Sequence, residues 1–387
     1  MGTERLYYQD CYLREFRARV IETADEGKRV YLDRTAFYPT SGGQPFDTGT
    51  LGGASVIEVI EEDQRIAHVL DTAVSLGDID ARIDWPRRFD HMQQHSGQHL
   101  LSAVCEEMFH IPTLSFHMGA ETSTIDLGTP SLEPRQMEQV EERCAEVIRE
   151  GRPVAITFDD ASADLRLRKA TERTGTLRVV SIDAIDRSGC GGTHVRTTAE
   201  IGAILLRKTE KMRGNVRLEF VCGLRALRQA RADFRTLQEL SRQIALPAGD
   251  APAWAAAQIA RMTALEKTSQ RLTAELARRE GRELWMATAP GADGIRRVTE
   301  RGAIDDATRA RAQAFCAEGR AVFLAVSQDP PAVLLAGAPD SGVHAGERVA
   351  AAVTAAGGRG GGNAALAQGS LPPVADFESI VRSLLLT

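Results

Sequence analysis

Residues 88–108 read RFDHMQQHSGQHLLSAVCEEM, and this run decides how the chain is divided. Met92, His95, His99, Val104 and Met108 recur at three- to five-residue intervals, the spacing of one helical face. Before the run the pattern is different. Up to about Trp85, short alternating stretches at Val30, Leu32, Val56, Ile57, Val59 and Ile60 are interrupted by Gly42-Gly43, Gly52-Gly53 and Gly77, which predicts a small β-barrel. After it, Met137, Val140, Cys144, Val147 and Ile148 predict a second helix over 133–149, with Ser131 as its N-cap. Strands are expected at 154–158, 177–182, 203–208 and 216–221, completing an α/β domain.

Leu224, Leu227, Phe234, Leu237, Leu240 and Ile244 form a further helical stripe. Pro247, Gly249 and Pro252 break it, and Ile259, Met262, Leu265, Leu272 and Leu276 resume it, so a coiled-coil-like helical hairpin is expected. Apolar runs at 321–326 and 332–335 and helix-like segments at 348–356 and 377–386 suggest a small α/β tail. The expected class is therefore α+β multidomain: barrel (1–87), metal-binding α/β domain (88–223), helical hairpin (224–282) and small α/β domain (283–387). A chain of 387 residues exceeds one ordinary core, in keeping with several domains.

No apolar run approaches membrane-spanning length, and MGTERLYYQD lacks the apolar stretch of a secretory signal. The six cysteines are scattered rather than dense, which suits reduced thiols in the cytoplasm. A net charge of −6 argues against indiscriminate coating of nucleic acid. Yet Arg207, Lys208, Lys211, Arg213, Arg217, Arg225, Arg228 and Arg231 form a basic patch against only Glu210 and Glu219. It reads either as a solvated face or as an RNA contact.

In HSGQH, His95 and His99 are four residues apart and project from one helical face, half of a zinc site. In Cys190-Gly191-Gly192-Thr193-His194, two glycines permit a tight loop that turns a thiolate and an imidazole toward one point. His91 lies on the same stripe as His95 and His99, so a His91/His95 pair is the competing assignment; Leu100-Leu101 favours the later pair. Ser96, Gly97 and Gln98 stand where a HExxH metalloprotease needs its glutamate, which disfavours peptide hydrolysis.

HSGQHLLSA and CGGTHV resemble, in order, the paired motifs of the editing domain of alanyl-tRNA synthetase and of the freestanding AlaX editing proteins. Residues 37–45, FYPTSGGQP, with Asp47 and Gly49, look like that family's glycine-rich barrel motif, and 214–220, GNVRLEF, like its closing strand. Residues 357–363, GGRGGGN, with Ala367-Gln368-Gly369, resemble the DHHA1 domain that ends alanyl-tRNA synthetases; read alone, the stretch is a flexible linker. No aminoacylation domain precedes the barrel, so tRNA charging, and with it ATP, is not expected.

The resemblance implies a long-type AlaX protein: a trans-editing hydrolase that deacylates Ser-tRNA(Ala), and Gly-tRNA(Ala) as a second substrate. It implies one Zn²⁺ per chain on His95, His99, Cys190 and His194, with Gln44 facing the pocket and Thr193 and Ser41 as polar contacts. Gln44 and Thr193 are the catalytic candidates. Arg213, Arg217, Arg225 and Arg359 are the RNA-contact candidates, and a homodimer through the C-terminal region is a further expectation. Four protein ligands close a tetrahedral site, whereas hydrolytic zinc keeps a place for water. Three routes stay open: a loose ligand or five-coordination, zinc as substrate positioner with another group activating water, and Cys190 as nucleophile. Two readings of the whole chain compete with the first: a tRNA-binding protein with structural zinc, and an editor of Ser-tRNA(Thr).

Overall fold

The computed structural model describes residues 2–171, 174–373 and 377–385 as two compact units, residues 1–240 and 241–387. It is mixed α+β throughout, and the strands before residue 84 are β1 (Glu4–Arg5), β2 (Glu15–Ala24), β3 (Arg29–Leu32), β4 (Arg34–Thr35), β5 (Gly49–Leu51), β6 (Ala54–Glu62), β7 (Arg65–Leu70) and β8 (Gly77–Ile83). Six of them close into a barrel in the order β2-β3-β7-β6-β5-β8, while β1 and β4 form a separate parallel pair. Alternate residues point inward, so Val20, Val30, Leu32, Val56, Val59, Ile66 and Leu70 are buried together.

Helix α1 (Trp85–Phe109) follows, started by Asp84, whose side chain accepts from the Arg87 backbone N–H. It is buried on nearly every side between residues 91 and 105. Its next partners are β9 (Thr113–Met118), β10 (Ser123–Leu127) and α2 (Pro134–Glu150). Ser131 does not cap α2: the N-cap is Glu133, whose backbone N–H donates to the Gln136 side chain at 2.9 Å. A residue one step from the first helical turn reaches these amides better than one at three. Strands β11 (Val154–Asp160), β12 (Thr176–Ile182) and β13 (Asp186–Gly189) make one antiparallel sheet. Strands β14 (Ile204–Met212) and β15 (Asn215–Cys222) join β10 and β9 in another, ordered β14-β15-β10-β9. The main core of this unit, with Leu100, Leu101, Val104, Ile125, Val140, Leu218 and Phe220, lies among α1, α2 and that sheet.

The barrel is tied to α1 by a fully buried ion pair, Asp47 with Arg88. The remaining Arg88 donors reach the Cys11 and Ala36 carbonyls, so the charge is completely hydrogen-bonded, the condition under which burial is tolerable.

Helix α3 (Gly223–Ile244) leaves β15, and α4 (Ala251–Ala287) belongs to the second unit, which starts at Ser241. Pro252 is not a break but sits in the first turn of α4, where its missing N–H is harmless. Leu227 and Leu237 on α3 are exposed, as are Ile259 and Leu265 on α4. The rest comprises β16 (Arg296–Arg301), α5 (Asp306–Ala317), β17 (Ala321–Gln328), β18 (Pro331–Gly337), α6 (Ala345–Ala355), β19 (Arg359–Gly362), β20 (Leu366–Ser370) and α7 (Phe377–Leu385); Leu386 of the expected helix lies outside the described residues. The sheet order is β16-β17-β18-β20-β19. Alternation along β17 sends Val322, Leu324 and Val326 to one core and Phe323 and Ala325 to the other. The glycine-rich stretch is neither linker nor loop: Arg359–Gly362 pair with residues 367–370 as an edge strand.

Candidate metal centre

His95 and His99 come from the middle of α1, and Cys190 and His194 from the loop after β13. Their ligand atoms all lie within 4.8 Å of one another. The loop can approach because residue 192 is glycine: a Cβ there would overlap the His95 ring. The helix can approach β15 because Gly97 faces Cys222. Gln94 strengthens that seat, accepting from Cys222 N at 2.8 Å and donating to its carbonyl at 3.1 Å.

Each imidazole is oriented through Nδ1. His95 Nδ1 is 2.8 Å from Gln44 Oε1, His99 Nδ1 2.7 Å from Asp186 Oδ2, and His194 Nδ1 3.1 Å from Ser96 Oγ. These partners leave the Nε2 atoms for an ion, the arrangement in which a backing group sets tautomer and ring direction. Cys190 Sγ lies 3.5 Å from His95 Nε2 and 3.3 Å from His194 Nε2. Tetrahedral zinc with ordinary Zn–S and Zn–N bonds separates such atoms by about 3.6 Å. The donor set and its spacing therefore fit a metal ion.

The electrostatics agree. Burial disfavours the Cys190 thiolate, but His95 and His194 beside it outweigh that and hold the thiol well below its usual range. Burial opposes charge on His99, yet Asp186 and Cys190 hold its pKa up at about 9. Asp186, pushed up by burial but paired with His99 and Arg168, stays at about 2. Burial takes His194 down to about 3. His91, taken down to about 3 by burial, has no partner for Nδ1 among the described residues and lies outside the cluster that contains His95 and His99.

The cluster opens onto a cavity of about 420 Å³ bordered by Tyr8, Tyr38, Ser41, Gln98, Phe116 and Lys169 among others. Gln44 and Thr193 do not border it. Both are fully buried, and Gln44 donates to Thr193 Oγ1 at 2.8 Å while its Oε1 meets His95. The expectation that Gln44 faces the pocket is thus corrected: its amide is spent behind the histidine. Asp186, Ser96 and Arg168 were not singled out in the sequence. Asp186 is separated from His99 by 87 positions, and only the pairing of β12 with β13 brings it there.

The four arginines separate into two kinds. Arg217 pairs with Asp126 at 2.7 Å, and Arg225, mostly buried, pairs with Asp90 at 2.6 Å and donates to the Gly119 carbonyl. Arg213, in the turn between β14 and β15, and Arg359, on edge strand β19, are exposed and have no side-chain partner among the described residues.

Residues 177–219, which run from β12 to β15 and include Cys190 and His194, match tRNA_SAD, the threonyl and alanyl tRNA synthetase second additional domain. The alanyl-tRNA editing protein Aarsd1 of Danio rerio is 34% identical over 254 residues, covering 60% of this chain and 62% of that protein. AlaX-L of Pyrococcus horikoshii is 36% identical over 239 residues, covering 58% of this chain and 59% of its own length. Over these stretches the chain is similar to alanyl-tRNA editing proteins. It matches about three fifths of the length of these editing proteins. An alanine–tRNA ligase of Thermoplasma acidophilum is 35% identical over 240 residues, but only 27% of that enzyme is covered. No helix among the described residues is long and apolar enough to cross a membrane.

Proposed function

We propose that this chain is a trans-editing hydrolase that deacylates Ser-tRNA(Ala), with Gly-tRNA(Ala) as a second substrate, using one zinc ion held by His95, His99, Cys190 and His194. The observation that carries the reading is the four-donor cluster with pre-oriented imidazoles at the wall of a cavity. The editing-protein names of its relatives supply the substrate class. A pocket built for alanine cannot strongly reject smaller glycine or a serine that adds only a hydroxyl, so a separate hydrolytic site is the physical remedy.

Zinc, when bound, supplies Lewis acidity and a fixed point for the substrate. The residues do the rest. Gln44, Asp186 and Ser96 keep the imidazoles aligned, and Gln44 and Thr193 are positioning rather than substrate-touching groups. Tyr8 and Tyr38 offer apolar surface beside the cluster, a size suited to an aminoacyl-adenosine end. Of the four candidate arginines, Arg213 and Arg359 have no side-chain partner among the described residues and are offered to the RNA backbone; Arg217 and Arg225 contribute only by exchanging an internal carboxylate for phosphate. The division into barrel (1–87), editing domain (88–223), helical segment (224–282) and DHHA1-like tail (283–387), a cytoplasmic setting and a homodimer through the tail belong to the same proposal. Exposed apolar residues along α4 support self-association.

The test is release of labelled serine from Ser-tRNA(Ala), with Ala-tRNA(Ala) and Ser-tRNA(Thr) as controls, for wild type and Cys190→Ala. Metal-dependent release from Ser-tRNA(Ala) alone, lost in the variant, is expected. Release no faster than the spontaneous rate, with metal and tRNA both bound, would leave only an RNA-binding role.

A further inference from the structure

We propose that Gln98 reads the side-chain hydroxyl of the misattached amino acid through its amide oxygen, and so sets the preference for serine; this rests on the editing reading above. Gln98 is on α1 next to His99 and three residues after His95, so it shares the face that carries the cluster. It is 6% exposed, and it borders the cavity. Its Nε2 donates to Ser102 Oγ at 2.8 Å, and Thr113 Oγ1 donates to the same oxygen at 2.7 Å. That anchor turns the amide nitrogen toward Ser102 and leaves Oε1 without a partner among the described residues.

Several other polar groups around the cavity are engaged. Tyr38 donates to the Ser41 carbonyl, Ser115 to Asp126, Ser188 and Arg168 to Asp186, and Tyr8 accepts from Arg5. The Ser41 hydroxyl and Lys169 are unspent but exposed to solvent. Among the described residues Gln98 Oε1 and the Tyr7 hydroxyl are the low-exposure groups on the cavity with capacity left, and Gln98 is the one on the helix that carries His95 and His99. Oε1 is open to the cavity, where a seryl hydroxyl would replace water as its donor. The α-ammonium common to every aminoacyl ester suits the position less well: no anionic group holds Gln98, and a charge buried against a neutral amide is poorly compensated. An alanyl ester sets a methyl against the oxygen, so the correctly charged tRNA gains nothing there.

The experiment compares tRNA(Ala) loaded with serine and with 2-aminobutyrate, whose ethyl group has serine's size without its hydroxyl. Wild type, Gln98→Leu and Gln98→Glu are used as whole chains with bound metal quantified. Wild type is expected to prefer seryl over 2-aminobutyryl ester by about 10- to 100-fold, the worth of one hydrogen bond. In Gln98→Leu the preference falls to within about threefold through loss of seryl hydrolysis alone, and Gln98→Glu, which keeps an acceptor oxygen, retains it. An unchanged preference in Gln98→Leu, a parallel loss on both esters, or no preference in wild type overturns the assignment, the last without any variant. A wild type that cleaves neither ester overturns the editing reading as well. Cleavage of both by wild type with an unaltered ratio in Gln98→Leu removes only the role of Gln98.

Discussion

At the scale of single residues, the candidate metal centre is shaped by groups outside the four-donor cluster. Asp186 lies behind His99 and is itself held by Arg168 Nε at 2.7 Å and by Ser188. It acts in two opposed ways, presenting His99 Nε2 outward and stabilising a protonated imidazole that cannot ligate. A divalent ion gains more from the backing carboxylate than a proton does, so the first effect wins. Asp186→Asn is accordingly expected to weaken zinc binding by about 10- to 100-fold, read by competition with a chromophoric chelator. Undiminished affinity would show that Asp186 only braces β13. The clustering of the four candidate donors was legible in the sequence, because HxxxH on a helix and a C-G-G-T-H loop carry their geometry in their spacing. Asp186, Ser96 and the true place of Gln44 were not, since a backing group is defined by the fold and has no spacing of its own.

At the scale of elements, helix existence was readable and its surroundings were not. The 3.6-residue stripe located α1, but the polar residues Gln93, Gln94, Ser96 and Gln98 suggest a wet face, and all are buried. Gln93 donates to the Glu200 carbonyl and Gln94 binds Cys222, bonds that only the packed partner supplies. Gly97 is the sharpest case. By helix propensity, Gly97→Ala gains about 1 kcal/mol. A Cβ at that point overlaps Cys222 Sγ, and overpacking a tight core costs about 1–3 kcal/mol, so net destabilisation in urea unfolding is expected, relieved when Cys222→Ala is added. A stabilised single variant would mean that α1 is free to lift from β15. Strands β9, β10 and β13 escaped notice for a related reason: each is short and mixes polar with apolar residues, β9 and β13 where they border the cavity.

The barrel gives a pH prediction. His68 on β7 is buried, with Nε2 2.9 Å from Thr35 Oγ1, and burial takes its pKa from 6.5 down to about 4. The unfolded chain therefore binds a proton that the folded chain refuses, and stability falls as pH drops from about 6.5 toward 4. Between pH 7 and pH 5 the loss from this group is about 2 kcal/mol. Urea unfolding of wild type and His68→Gln at the two values checks it: wild type should lose more by that amount, and equal losses would place a proton on His68 in the native barrel.

At the scale of the molecule, the four donors and the groups behind them belong to residues 1–240, whereas residues 241–387 have separate cores around Leu324 and Phe323. An ion that binds only the folded site stabilises what it binds: at a thousandfold excess over Kd the gain is about 4 kcal/mol. For a unit of this size each kilocalorie moves the melting temperature by about 2–4 °C, so chelation is expected to lower one calorimetric transition by about 10 °C. The transition of the second unit should stay where it was. Limited proteolysis at the lowered midpoint assigns them, since the fragment that survives should contain the 321–337 strands and lack Cys190. If both transitions move together, metal binding is coupled to the whole chain, and the tail is then part of the folding unit that builds the site rather than a separately stable module attached to it.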